Sequence, residues 1–293
     1  VLGLAPIVLG PSTWSWERVY LVGVINVTPD SFSDGGRHAA VAEAVAFGLR
    51  SVAAGADLID VGGESTRPGA RPVSAEEEIE RVVPVITRLA EGLAQAGRAV
   101  PIAVDTTKAA VARAAVRAGA SVVNDIAGGR FDADTPAVAA GEGAAYVCGH
   151  VRGDDLAAVH AAEGQPQSWD DVAFELGERV AGLPADLRAR TLVDPCLGFG
   201  KGPALNLDLL ARAGELAAGT GRPVLLGPSR KRFLGALTGK PVGERDDATV
   251  GACLAAAAAG AHALRVHDVA RVHDALVVFE AVRRGAGRTE RRP

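Results

Sequence analysis

The chain has 293 residues, 48% of them hydrophobic and 23% charged, with a formal net charge of −4. That charge is too small, and of the wrong sign, for a general binder of nucleic acid or of membrane surfaces. Aromatics at 4% offer no stacking platform for single strands. Three cysteines without a C-x-x-C pair argue against a disulfide framework or a structural zinc site, and they fit a reducing cytoplasm. The opening stretch lacks a basic n-region and is broken by Pro6 and Pro11, so no signal peptide is expected in it. The longest weakly polar run, 250–264, is mostly alanine and glycine and falls short of the roughly 20 strongly apolar residues of a membrane span.

In chain order, an extension over 1–19 comes first. Short β-branched runs then alternate with stretches of helical spacing. The spacing predicts strands over 20–26, 57–61, 102–105, 121–125, 145–150, 191–194, 224–227 and 263–267. Helices are predicted over 39–54, 75–96, 107–118, 135–141, 169–181, 206–219, 231–237 with 246–259, and 269–284. Eight strands, each followed by helix, is the count of a single (β/α)8 TIM barrel over 20–284. Residues 151–168, rich in Gly, Asp and Gln, read as a mobile insertion. The basic tail over 285–293 is expected to fray.

An internal echo ties the units together. Gly55, Gly119 and Gly260 each sit between two alanines at a predicted helix end, where a left-handed cap is wanted. Five residues after each comes a polar side chain, Asp60, Asn124 and Arg265, so the three should share one depth and one parity. A looser copy from Gly143 puts Cys148 at that level. Polar residues gather at predicted strand ends, where barrel enzymes build their sites: Asn26, Asp60, Asp105, Asn124, Asp125, His150, Asp194, Arg265 and His267. Arginine outnumbers lysine 27 to 4 and there are three asparagines. In so poor a background, Asn26, Asn124 and Lys231 at strand ends stand out.

Four segments carry unusual chemistry. Residues 26–36 (NVTPDSFSDGG) form an oxygen-rich loop of the kind that suits magnesium. Residues 62–69 (GGESTRPG) combine glycines for close approach, the Thr66 hydroxyl and the Arg67 fork for phosphate. Both loops hold few apolar anchors and are expected to be mobile in the free protein. Residues 194–201 (DPCLGFGK) place a strand-end carboxylate that can accept two parallel hydrogen bonds, followed by Phe199, either core or the wall for an aromatic ligand. Finally, SRKRFLG from Ser229 and the same-parity pair Arg265 and His267 follow the seventh and eighth strands, where barrels often hold phosphate.

With these motifs in order along residues 22–281, and SVVNDIAGG and RVHDV among them, the sequence resembles the dihydropteroate synthase family. The resemblance implies a (β/α)8 barrel, generally a homodimer, that condenses 6-hydroxymethyl-7,8-dihydropterin diphosphate with 4-aminobenzoate and releases pyrophosphate. It further implies that Asp105, Asn124, Asp194, Lys231 and Arg265 bind the pterin, with Asp105, Lys231 and Arg265 catalytic. Asn26, Thr66, Arg67, Arg265 and His267 would hold the diphosphate, and Asn26 would be the protein ligand of Mg2+. Thr66, Pro68, Phe199, Lys231 and Arg232 would line the aminobenzoate pocket.

The sequence departs from the family pattern in three places. Gly149-His150-Val151 stands where a Met-His-Met type segment is usual, Cys196 stands where glycine is usual, and Pro228 precedes Ser229. Two competing readings predict different features. A methyltetrahydrofolate–corrinoid methyltransferase needs no pyrophosphate site, against which Arg67 and the cations after strands seven and eight argue. A catalytically silent paralogue would lack Asn26 or the Arg265–His267 pair.

Overall fold

The computed structural model describes residues 3–27, 36–162 and 165–289. An antiparallel hairpin of β1 (Ile7–Leu9) and β2 (Ser12–Trp14) precedes eight parallel strands. These are β3 (Tyr20–Asn26), β4 (Leu58–Gly62), β5 (Ile102–Asp105), β6 (Val122–Asp125), β7 (Ala145–Gly149), β8 (Thr191–Asp194), β9 (Leu225–Leu226) and β10 (Ala263–Val266). β10 pairs with both β3 and β9. A parallel bridge between Val193 and Val224 joins β8 to β9 and closes the barrel.

The helices are α1 (Gly36–Ala53), α2 (Ala75–Gln95), α3 (Ala109–Arg117), α4 (Thr135–Gly141), α5 (Leu156–Ala161), α6 (Trp169–Gly182), α7 (Ala185–Ala189), α8 (Pro203–Ala211), α9 (Ala213–Thr220), α10 (Arg232–Thr238), α11 (Asp246–Ala258) and α12 (Val269–Thr289). Local sequence explains them well at α2. Ser74 caps its start by accepting from the Glu77 N–H at 3.2 Å, three glutamates follow, and Val82, Val85, Ile86, Leu89 and Leu93 form the buried stripe. Gly55, Gly119 and Gly260 all have positive φ, as the echoed caps require.

Strand alternation sorts the core into two shells. Leu21, Ile59, Val104, Val123, Tyr146, Val193 and Leu264 pack outward against the helices. Val22, Leu58, Ala103, Val122, Leu192, Leu225 and Ala263 face inward and meet Ile7, Leu9, Trp14 and Trp16 of the N-terminal segment. That segment is a plug for the bottom of the barrel. Each of its large buried side chains is worth about 2 kcal/mol relative to exposure.

The structure departs from the sequence reading at several elements. Residues 206–219 are two helices, because Arg212 leaves helical geometry (φ −119, ψ 29) and lies over the Trp169 ring at 3.7 Å. The insertion expected to be mobile is anchored instead over 151–162. Val151 and Val159 are fully buried, α5 forms within it, and Arg179 donates to the carbonyls of Ala127, Gly149 and Val151. α12 runs past Arg284 to Thr289, and residues 290–293 of the basic tail lie outside the described residues. Among the described residues, no helix is long and apolar enough to cross a membrane.

Candidate active site

Parity fixes what points into the barrel mouth. Leu58, Ala103, Val122, Leu192 and Ala263 face the interior. Two residues further on, Asp60, Asp105, Asn124, Asp194 and Arg265 must do so as well, one layer nearer the strand C-termini. A polar layer thus lies directly on an apolar one.

The side chains of this layer join. Asn124 Nδ2 donates to Asp60 Oδ2 at 2.9 Å. Arg265 donates from Nε to Asp60 Oδ2 and from Nη2 to Asp105 Oδ2, both at 2.6 Å. The expectation that Asp60, Asn124 and Arg265 share one level is met, and Asp60 is their hub. Sequence reading placed Asp60 at that level without giving it a role; its carboxylate is fully buried, which only such partners make tolerable. Its Oδ1 has no partner among the described residues. By donating its amide to Asp60, Asn124 keeps its own carbonyl oxygen as a free acceptor.

Burial pushes Asp105 up to about 7, opposed by Arg265 and reinforced by Asp60. Burial also lifts Asp194, opposed by the Cys196 N–H, which donates to its Oδ1 at 2.7 Å, and by Lys231 and Arg265. Lys231 is brought down to about 8 by burial, against the pull of Asp194. Its ammonium lies 4.2 Å from the centroid of Phe199, a half-buried ring that is neither core nor free.

His267 marks a second, cationic region. Ser229 Oγ accepts from the His267 backbone N–H at 3.3 Å and lies 2.9 Å from Nδ1. In the tautomer whose Nδ1 accepts the hydroxyl proton, Nε2–H is left as the donor. Burial, and after it the charges of Arg265, Arg230, Lys231 and Arg67, bring His267 down to about 4. Four cations thus act on a neutral imidazole, two of them already paired, Arg265 with Asp60 and Asp105 and Arg230 with Asp246.

Polar contacts also hold the loop after β4. Glu64 accepts from Val73 N–H at 2.8 Å and from Lys108 at 2.7 Å, Arg81 donates to the Gly63 carbonyl at 2.7 Å, and His160 Nε2 lies 3.0 Å from the Thr66 carbonyl. Reading that loop as loosely held from its lack of apolar residues overlooked these tethers. Arg67 and Pro68 are exposed at its tip, and Arg232 is exposed at the start of α10. Of the loop after β3, residues 28–35 lie outside the described residues; Asn26 ends β3 half-buried.

Two strand-end residues do not join the centre. Asp125 and His150 follow inward-facing neighbours and so take the outward parity. Asp125 accepts from the Tyr146 hydroxyl at 2.6 Å and from the N–H groups of Ala127 and Gly129, while His150 pairs with Glu175 at 2.9 Å. Of the family departures, Gly149 has a local cause, whereas Cys196 runs against its backbone. A Cβ at Gly149 would overlap the backbone of Ile126. Cys196 holds φ +52, the left-handed region that glycine normally fills. Sequence reading also missed Lys201, whose buried ammonium gathers the carbonyls of His150 (2.9 Å), Phe199 (3.2 Å) and Cys196 (3.4 Å). Its rarity was the available signal.

Fold and site together define a (β/α)8 barrel of the enzyme kind, with its polar and charged side chains gathered at the strand C-termini. The pterin binding enzyme family matches residues 22–267. A dihydropteroate synthase of Synechocystis is 38% identical over 284 residues, covering 94% of this chain and 95% of its own. The Xanthomonas albilineans dihydropteroate synthase solved with 4-aminobenzoic acid is 43% identical, with a TM-score of 0.83 over 96% of this chain and 98% of that one. The same enzyme solved with 7,8-dihydropteroate gives 41% identity and a TM-score of 0.81 over 95% and 99%. The chain belongs to the dihydropteroate synthases, transferases of folate biosynthesis built on the pterin-binding barrel.

Proposed function

We propose that the chain joins 6-hydroxymethyl-7,8-dihydropterin diphosphate to 4-aminobenzoate, with the pterin in the barrel mouth and the aminobenzoate against the Phe199 turn. The observation that carries this reading is the adjacency of two unlike regions. A carboxylate and amide layer suits a flat, donor-rich heterocycle, and the cations around His267 suit its diphosphate. In this reading Asp194 accepts from the pterin N3–H and 2-amino group, Asp105 and Asn124 complete its inner edge, and Lys231 donates to the opposite edge. Arg265 flanks the ring, and with Asn26, Thr66, Arg67 and His267 it holds the diphosphate. Thr66, Pro68, Phe199, Lys231 and Arg232 line the aminobenzoate pocket. Relatives solved with 4-aminobenzoic acid and with 7,8-dihydropteroate support these ligands.

The donor set fits magnesium. Asn26 Oδ1 and Asp105 Oδ2 both border the space that a Cβ at Gly62 would enter, at 3.9 and 3.7 Å from it. Among the described residues, no group of three or more His, Cys, Asp or Glu could cage a metal. A hard cation shared with diphosphate oxygens needs only one or two protein oxygens, and Asn26 would hold it. When bound, the ion neutralises charge on the departing pyrophosphate.

The residues then act electrostatically. As the methylene C–O bond breaks, Arg265, Arg67 and the His267 N–H take up the negative charge of the leaving group. The Asp105 carboxylate favours the positive charge that develops on the dihydropterin. The amine nitrogen forms the C–N bond as pyrophosphate departs and its proton passes to solvent, so no enzyme nucleophile is needed. The barrel over 20–284 acts as one domain in a cytoplasmic homodimer; the buried, unpaired thiols of Cys148, Cys196 and Cys253 support a reducing compartment. The test is pyrophosphate release from the dihydropterin diphosphate. It should require both 4-aminobenzoate and Mg2+, and release without the amine would refute the condensation.

A further inference from the structure

His160 has no place in the roles assigned above, yet it touches two of the segments they use. It stands on α5, a single turn and a half capped at Asp155, which accepts from the Ala158 N–H at 2.7 Å. The helix is fixed from below. Val159 is fully buried in a small apolar cluster with Ile126, Ala127, Val151 and Cys196, against which Leu156 and Phe199 pack. The turn after β8 lies directly on it, since a Cβ at Gly200 would come within 2.9 Å of the Val159 carbonyl oxygen.

From this platform the imidazole reaches in two directions. Nε2 lies 3.0 Å from the carbonyl oxygen of Thr66, 94 residues away in the loop after β4. A carbonyl only accepts, so Nε2 carries the proton and donates. The ring also lies over Phe199, with centroids 6.4 Å apart and planes 23° from parallel. One side chain therefore links the loops after β4, β7 and β8. Phe199 is in turn held by Lys231 over its ring and by Lys201 at its carbonyl.

We propose that His160 is a positioning residue for 4-aminobenzoate: it ties Thr66 to Phe199 and fixes the separation of the two walls between which the aromatic amine enters. The proposal rests on the assignment of Thr66 and Phe199 to that pocket. It predicts a defect larger for 4-aminobenzoate than for the pterin, because the layer of Asp60, Asp105, Asn124 and Asp194 lies deeper in the barrel and His160 reaches the other substrate only through the diphosphate contact assigned to Thr66.

Steady-state kinetics with each substrate varied provide the test, on His160→Ala, His160→Gln, Phe199→Leu and the His160→Ala/Phe199→Leu double variant. Losing both the hydrogen bond and the ring contact should raise the KM for 4-aminobenzoate roughly tenfold in His160→Ala. The KM for the dihydropterin diphosphate should rise less, through Thr66 alone, and calorimetric affinity for the dephosphorylated pterin alcohol should stay within about twofold, since that ligand meets neither wall. His160→Gln keeps an N–H donor without the ring and should recover part of the loss. The double variant should fall short of the product of the single effects, since both act on one contact.

If Phe199→Leu raises the KM for 4-aminobenzoate while neither His160 variant does, the role of His160 is refuted and the pocket assignment stands. If Phe199→Leu also leaves it unchanged, the pocket assignment itself falls. Equal losses for both substrates, accompanied by a lowered melting temperature in His160→Gln as well as His160→Ala, would make His160 a structural residue and refute the proposal.

Discussion

Replacing Asp194 by asparagine separates the pterin contact from the support of the barrel. The carboxylate is buried at the end of β8, and its Oδ1 already accepts the Cys196 N–H at 2.7 Å. An asparagine has to choose between two poor arrangements. With its oxygen kept on Cys196, Nδ2 presents a donor to the donors of the pterin edge. With the amide turned over, Nδ2 meets the Cys196 N–H instead. Either way a buried donor loses its acceptor and a charge-assisted bond is gone, together about 3–5 kcal/mol. Affinity for the pterin should drop roughly 150- to 5000-fold. Calorimetric titration with the dephosphorylated dihydropterin alcohol reads this directly, and an affinity within about fivefold of the parent would refute the assignment.

Stability should respond in the opposite sense. Burial lifts the pKa of Asp194 above its ordinary value. A carboxyl raised in the folded state binds its proton more tightly there, so its stabilising contribution exists below the unfolded pKa and is lost as pH rises through the folded one. At neutral pH, above the ordinary carboxylate range, the lifted carboxyl has lost that stabilising contribution, and the asparagine variant should melt no lower than the parent. A melting temperature several degrees lower would show Asp194 to be a structural support.

Three further outcomes are expected. His267→Ala should weaken binding of the diphosphate substrate about tenfold while leaving the pterin alcohol nearly unaffected, because the neutral imidazole contributes one N–H to the anion; equal losses in calorimetry would contradict that role. The pH profile of kcat/KM should decline below about 7, as Asp105 takes up a proton, and above about 8, as Lys231 loses one. Asp105→Asn should abolish the acidic limb along with most activity, and a wild-type profile that is flat across both values would remove these groups from catalysis. Gly149→Ala forces a methyl into the Ile126 backbone. Overpacking of this kind costs about 1–3 kcal/mol and should lower the melting temperature by roughly 2–10 °C, whereas an unchanged midpoint would mean that the Asp125–Gly129 turn yields freely.

Much of the site was legible because a barrel strand has only one parity to give. Once Leu58, Val122 and Ala263 are inside, Asp60, Asn124 and Arg265 must be inside too, and the echoed glycine caps set all three at one depth. Scarcity carried information as well. Asn26 and Asn124 end strands, while the third asparagine, Asn206, clamps the Phe199 turn by accepting from Gly198 N–H and donating to the Lys201 carbonyl. The same parity rule, applied strictly, would have turned Asp125 and His150 outward, since each follows an inward-facing residue.

Other features had no local signature. That Arg265 serves Asp60 and Asp105 at once depends on β10 lying beside β3 and on barrel closure, which bring together residues 205 and 160 positions apart. The N-terminal hairpin reads as an unremarkable extension until the open bottom of the barrel gives Leu9 and Trp14 something to cover. Residues 151–168 look like a loop by composition, and two buried valines, with Arg179 donating to the Val151 carbonyl, make 151–162 a platform for His160. Strand periodicity is a property of the backbone and is written into every few residues. Which loop meets which above the barrel is set by side chains that become neighbours only after the sheet has closed.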